Sequence, residues 1–187
     1  MLRKSRKSIL TLLLALLVMC AAGTSAFATE GAVDLGKTGS IAITLRESGG
    51  SQRTIPGGTF TLYRVADLVK QNGSLIYRYT PEFDGCGASL AHLNAEGLAE
   101  HLAGYAKEKE LTGATKTAGQ DGTVTFESLS LGLYLAVQEG RTAGYYPIAP
   151  FLASVPMMDG EGTGWIYDVD ANPKAQPTPE PRTIPHG

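Results

Sequence analysis

The sequence predicts a mostly β protein, a Greek-key β-sandwich of about seven short strands with one inserted helical segment. Three observations carry this. Apolar and polar residues alternate in short runs, as at Ile41, Ile43 and Leu45, which is the period of a strand with one buried face. Turn signals such as Gly57-Gly58 and Asn72-Gly73 separate the runs, and Asn-Gly favours a two-residue hairpin. A single stretch, after Cys86, shifts to a helical period. Many short strands between turns indicate a sandwich or related barrel.

Residues 1–28 read as a secretory signal. Arg3, Lys4, Arg6 and Lys7 form a basic start, an apolar run follows, and Ala26-Phe27-Ala28 is a small-residue cleavage site, with Ala28 and Thr29 flanking the cut. The apolar run, at roughly 12 residues, is short of the ~20 that a span requires. A lipid-anchored reading of Cys20 fails because Met19, not a small residue, precedes it. The mature chain is therefore expected to be exported, with no membrane span.

Within the mature chain, residues 39–45 form the first expected strand. The next opens at Gly57-Gly58, with Phe60 and Leu62 together on one face and Tyr63 on the other. Leu75, Tyr77 and Tyr79 repeat the alternation beyond Asn72-Gly73. The helical insert is expected at about 90–112, with Asn94 as cap, Leu98, Leu102 and Tyr105 on one face, and Gly113 as the stop. Gly97 and Gly104 each weaken it by about 1 kcal/mol relative to Ala, so it should persist only by packing on a sheet. Strands at 123–126, 133–138, 151–155 and 165–169 complete the pattern. One domain over 29–172 is expected. Five of the ten prolines then fall between Pro173 and Pro185, so residues 173–187 read as an extended spacer.

Composition excludes several function classes. The signal takes four of the 16 basic residues and none of the 18 acidic ones, leaving a mature net charge near −6. Nothing in that balance attracts nucleic acid or anionic lipid. Cys20 leaves with the signal, so Cys86 has no partner in the mature chain and is best read as a small packed side chain. No metal site or cofactor is expected. His92 and His101 are nine apart and His186 lies in the tail, without zinc-ligand spacing. Asp159, Glu161, Thr163, Gly164 and Asp170 fit a calcium loop only in part, and a polar hairpin turn explains them better. No Gly-x-Ser-x-Gly setting supports a hydrolase, and the protein is not expected to be an enzyme. Tyr145-Tyr146 with Tyr77 and Tyr79 are read as half-buried strand aromatics in preference to a binding face.

Four segments resemble a known group, the B-type immunoglobulin-like (prealbumin-like) domains of Gram-positive pilins and collagen adhesins. They are GSIAITL from Gly39, GGTFTLYRVADL from Gly57, DGTVTFESLSLGLYLAVQ from Asp121, and PFLASVPMMDGEGTGWIYDVDANPK from Pro150. The resemblance covers nearly the whole mature chain, and its last two segments are the more specific. It implies an exported structural protein of the cell surface or cell wall, whose partners are other pilin subunits and a sortase, with a host or matrix ligand as a further partner.

The resemblance also implies an internal amide between a Lys on the first strand and an Asn on the last, assisted by an acidic residue on a middle strand. Here the matching positions hold Leu45 and Gln138. Arg46 and Glu139 are one residue off and so on the opposite face. Asn172 remains as a residual acceptor, and no internal isopeptide bond is expected. The group's intermolecular chemistry uses a Lys after the last strand, in a Tyr-Pro-Lys-Asn context, to attack a sortase acyl-enzyme. Asn172-Pro173-Lys174-Ala175 keeps the Pro-Lys core, which makes Lys174 the expected linkage residue. Ile184-Pro185-His186-Gly187 resembles the opening of a sorting signal without its Thr. Either the full chain continues into such a signal or the product is secreted without an anchor. The alternative function is a secreted binding module that holds a host or matrix ligand without covalent assembly.

Overall fold

Asn72 and Gly73 both adopt positive φ, 50° and 83°, the backbone that a two-residue hairpin requires. The flanking strands, β3 (Thr59–Gln71) and β4 (Ser74–Tyr79), pair antiparallel from Gln71↔Ser74 to Ala66↔Tyr79. This hairpin founds the larger of the two main sheets in the computed structural model, which describes residues 32–179. The expected signal and its cleavage site at Ala28 and Thr29, and the last part of the tail, lie outside the described residues.

Four more stretches precede or join this hairpin: β1 (Thr38–Thr44), β2 (Arg46–Glu47), β5 (Ala114–Thr117) and β6 (Thr123–Ser130). Then come β7 (Gly132–Gln138), β8 (Phe151–Val155), β9 (Met157–Met158), β10 (Trp165–Ile166), β11 (Asp168–Ala171) and β12 (Lys174–Ala175). The larger sheet runs β4-β3-β7-β8, with β5 pairing the first half of β3 on the edge where β4 pairs the second half. The smaller sheet is β11-β1-β6, in which β1 and β11 are parallel.

Period-2 alternation builds the core between these sheets. Ile41 and Ile43 from β1 with Leu45 just after it, Phe60 and Leu62 from β3, Val124 and Phe126 from β6, and Tyr134 and Ala136 from β7 form one buried cluster. The alternate residues Tyr63, Val65, Leu133 and Leu135 face a second cluster, on the other side of the larger sheet. A register shift between Arg64 and Ala66 marks a bulge, so Val65 and Ala66 both join the second cluster while Leu68 returns to the first.

Helix α1 (Leu98–Glu108) covers the second cluster through Leu98, Leu102 and Ala106 and packs on β7 and β8. The expected cap at Asn94 is corrected: Gly97 is the N-cap, in a left-handed conformation with no side-chain cap bond. The chain from His92 to Leu98 instead makes two tight turns, with Ala95 N–H bonded to His92 O and Leu98 N–H to Ala95 O. The expected stop at Gly113 also moves. Glu110 takes φ 51°, its N–H reaches Lys107 O, and Leu111 N–H reaches Ala106 O. This is the Schellman pattern formed without glycine.

Two further expectations change. Residues 165–169 are not one strand: Trp165 and Ile166 pair back on Met158 and Met157, while Asp168 onward pairs with β1. The domain does not end at Asn172, because β12 pairs parallel with β2 and Tyr145 bridges Pro177. Proline removes a donor but keeps its carbonyl, so this stretch is held through the carbonyls of Pro173, Ala175 and Gln176. From Val33 on, the described residues form one compact unit.

Candidate functional site

Lys174 is exposed on β12, and Ala175 beside it is 1% exposed. Pro173 favours an extended backbone over helix, and the strand that follows alternates outward and inward. The register Lys174↔Arg46 and Ala175↔Glu47 puts Lys174 and Arg46 on one outer face and Ala175 and Glu47 on the inner one. Arg46 is engaged there: its Nε donates to Asn172 Oδ1 at 3.0 Å and its Nη1 to Gln52 O at 3.3 Å. The candidate nucleophile thus stands on a short edge strand next to a guanidinium that is already bonded to two connecting segments.

The other sequence-predicted positions fall in two places. Leu45 is fully buried in the first cluster. Gln138, 9% exposed, donates through Nε2 to Thr142 Oγ1 at 3.2 Å and accepts Ile148 N–H at 2.9 Å. Gly58 joins these two positions: a Cβ there would lie 3.6 Å from Leu45 Cδ2 and 3.5 Å from Thr142 Oγ1. Asn172 is exposed and committed to Arg46, outside that buried strip. Leu45 and the Thr142 partner of Gln138 thus both lie beside Gly58, while Asn172 is on the surface with Arg46.

A cluster that sequence reasoning missed lies under β12. Tyr145 donates its hydroxyl to Glu47 Oε2 at 2.8 Å, and Arg53 Nη2 contacts the same oxygen at 2.6 Å. The bond from Arg53, then the one from Tyr145, holds the Glu47 carboxyl below its usual range. Tyr145 stood out in the sequence as an aromatic, but its partner is 98 residues away, and no local spacing links them.

Tyr145-Tyr146 do not share a face with Tyr77 and Tyr79. Tyr145 packs on the first cluster, and the β4 tyrosines pack on the second. Burial pushes the Tyr79 hydroxyl up, helped by Cys86, and that hydroxyl donates to Ala88 O at 3.0 Å. Cys86 is a buried free thiol in this cluster, and His101 Nε2 lies 2.7 Å from its carbonyl oxygen. Asp159 closes the β9–β10 hairpin by accepting Thr163 N–H at 2.8 Å and its hydroxyl at 3.1 Å. Those bonds serve a turn. Among the described residues no group of three or more His, Cys, Asp or Glu stands together to hold a metal, and no helix is long and apolar enough to cross a membrane.

The family model described as Gram-positive pilin subunit D1, N-terminal domain, matches residues 24–176. The solved major pilin SpaA of Corynebacterium diphtheriae is similar at 30% identity and TM-score 0.51, over 76% of this chain and 31% of its own. The full-length major pilin SpaD of the same organism shares the fold, with TM-score 0.54 at 24% identity over 78% of this chain and 32% of its own. The chain thus spans about a third of the length of these solved pilins. Comparison with curated protein sequences gave no match. With an Ig-like sandwich and a D1 match over most of its length, this is a pilin-like structural protein of the cell surface, and it belongs to the Gram-positive pilin subunit family.

Proposed function

We propose that the chain is an exported pilin subunit that a sortase joins to a neighbour through Lys174, and that its folded domain carries no internal isopeptide bond. The observation that carries the linkage is the exposure of Lys174 on an edge strand directly after Pro173. In the reaction, the sortase thiolate has already displaced glycine from the neighbour's Leu-Pro-x-Thr-Gly signal and holds its threonine carbonyl as a thioester. The neutral Lys174 amine attacks that carbonyl, an amide forms, the C–S bond breaks, and the thiolate leaves with the amine's surplus proton passing to a base.

The absence of the internal bond rests on chemistry. Such an amide needs a buried amine whose charge burial suppresses, beside a carboxyl that relays the proton. Leu45 offers no amine, and Gln138, a carboxamide already bonded to Thr142 and Ile148, cannot relay one. SpaA is described as having stabilising isopeptide bonds, so this domain would differ in resting on ordinary core packing.

The test is a denaturing gel blot of the wall fraction and medium of the producing cell, with Lys174→Ala beside the parent. A heat- and detergent-resistant ladder that the variant loses supports the reading. A ladder that survives in the variant overturns Lys174 as acceptor.

One observation favours a second reading, a secreted binding module. Leu75, Ile76, Tyr77, Tyr79, Leu90, Ala91 and Leu93 line an open groove of about 550 Å³ beside β4, within the range of ligand sites. A single band confined to the medium would favour this module over the pilin.

A further inference from the structure

The C-terminal strand lies in a slot whose two flanks are far apart in sequence. On one flank, Arg46 N–H donates to Pro173 O and Ser48 N–H to Ala175 O, both at 2.9 Å. On the other, Tyr146 N–H donates to Gln176 O and Thr178 N–H to Gly144 O, again at 2.9 Å. Two side chains join the flanks, since the Tyr145 hydroxyl meets Glu47 Oε2 at 2.8 Å. Arg53, whose carbonyl accepts Glu47 N–H at 2.8 Å, adds its guanidinium to the same oxygen. Glu47 is in register with the inward-facing Ala175, so the link closes the slot on the side away from Lys174.

A ladder of two residues has too few bonds to hold its own geometry. An amine on a fraying strand spends little time in the orientation that an acyl-enzyme requires, and fixing it raises the rate without touching the reacting atoms. Hydrogen bonds to an ionised carboxylate are stronger than neutral ones, which suits Glu47 to this task.

We propose that Tyr145 is a positioning residue for Lys174: its bond to Glu47, supported by Arg53, locks both flanks of the C-terminal strand and fixes the amine that it presents. This deepens, and rests on, the reading of Lys174 as the acceptor. Neither Tyr145 nor Glu47 contacts the reacting atoms.

The experiment uses the mature chain, the sortase of the producing bacterium and a fluorescent Leu-Pro-Ala-Thr-Gly peptide as acyl donor. It reads two quantities: amide hydrogen exchange at Ser48, Tyr146 and Thr178, and the rate of peptide attachment. Tyr145→Phe should speed exchange at those amides about tenfold, with β7 amides unchanged, and slow attachment by a similar factor. Glu47→Gln should do the same, and Arg53→Lys, which keeps the charge, should retain most of the parent's protection and attachment rate. Unchanged exchange in Tyr145→Phe and Glu47→Gln overturns the lock. Faster exchange with undiminished attachment, in a protein where Lys174→Ala abolishes attachment, overturns the positioning role. Attachment that survives Lys174→Ala instead removes the acceptor reading itself, and the positioning role falls with it.

Discussion

Lys174 stands in parallel register with Arg46, the residue that follows fully buried Leu45. The strand that carries the proposed acceptor is thereby tied to the end of the first core strand, although 128 residues separate the two in sequence.

That placement separates chemistry from stability. Lys174→Arg keeps the charge and the exposed strand position but offers no neutral amine. Covalent oligomers should vanish on a denaturing gel while the unfolding free energy stays within about 0.5 kcal/mol of the parent, read from the denaturant midpoint.

Leu45→Lys tests whether the internal amide could return. The new amine would sit in a fully buried position, while Asn172 remains on the surface with Arg46. Destabilisation on the order of 3–5 kcal/mol is expected for an unpaired buried charge. The intact mass should show no loss of ammonia, even with Gln138→Glu added. A mass lower by one ammonia would refute the absence of an acceptor in reach.

Leu102 is fully buried on the inner face of the helix. Since the helix contains Gly104 and lacks a side-chain N-cap bond, its stability must come from this apolar face. Leu102→Ala should cost about 2–5 kcal/mol, measured by denaturant unfolding, with the helical circular dichroism signal lost first.

Gly132 marks a close backbone approach. A Cβ there would lie 2.2 Å from Ala66 O, and neither backbone can yield without breaking the β3–β7 pairing. Gly132→Ala should destabilise by about 1–3 kcal/mol, read as a lowered unfolding midpoint with the gel ladder retained.

The Glu47 lock predicts a direction with pH. Its carboxyl is held below the usual carboxylate range, first by Arg53 and then by Tyr145. Its contribution is therefore complete above the unfolded-state value and is lost as pH falls through the lower folded value. Protection factors at Tyr146 and Thr178, with the intrinsic pH dependence of exchange divided out, should fall on acidification below the ordinary glutamate range, and in Glu47→Gln that added acid dependence should disappear.

Much of the fold was legible because period-2 alternation is a local signal. Ile41, Ile43 and Leu45, the Phe60/Leu62 face and the Asn72-Gly73 hairpin all follow from neighbours in sequence. Short elements were not legible: β5 consists of four exposed residues, Ala114–Thr117, with no apolar pattern, and forms because β3 offers it an edge. The helix ends also escaped, since Asn94 has cap chemistry but the turns from His92 to Leu98 place Gly97 at the helix start.

The candidate site divides the same way. Alternation between near neighbours is enough to read which faces most of the strands bury, and Pro173 is enough to bias Asn172 before it toward an extended backbone. Closure of the fold is what seats residues 174–178 against β2 and Tyr145, turns Asn172 to Arg46, and joins Tyr145 to Glu47 beneath the strand. The reason is physical: alternation and backbone restriction act between neighbouring residues, whereas these contacts join segments about 100 or more residues apart and exist only once both sheets have closed on the core.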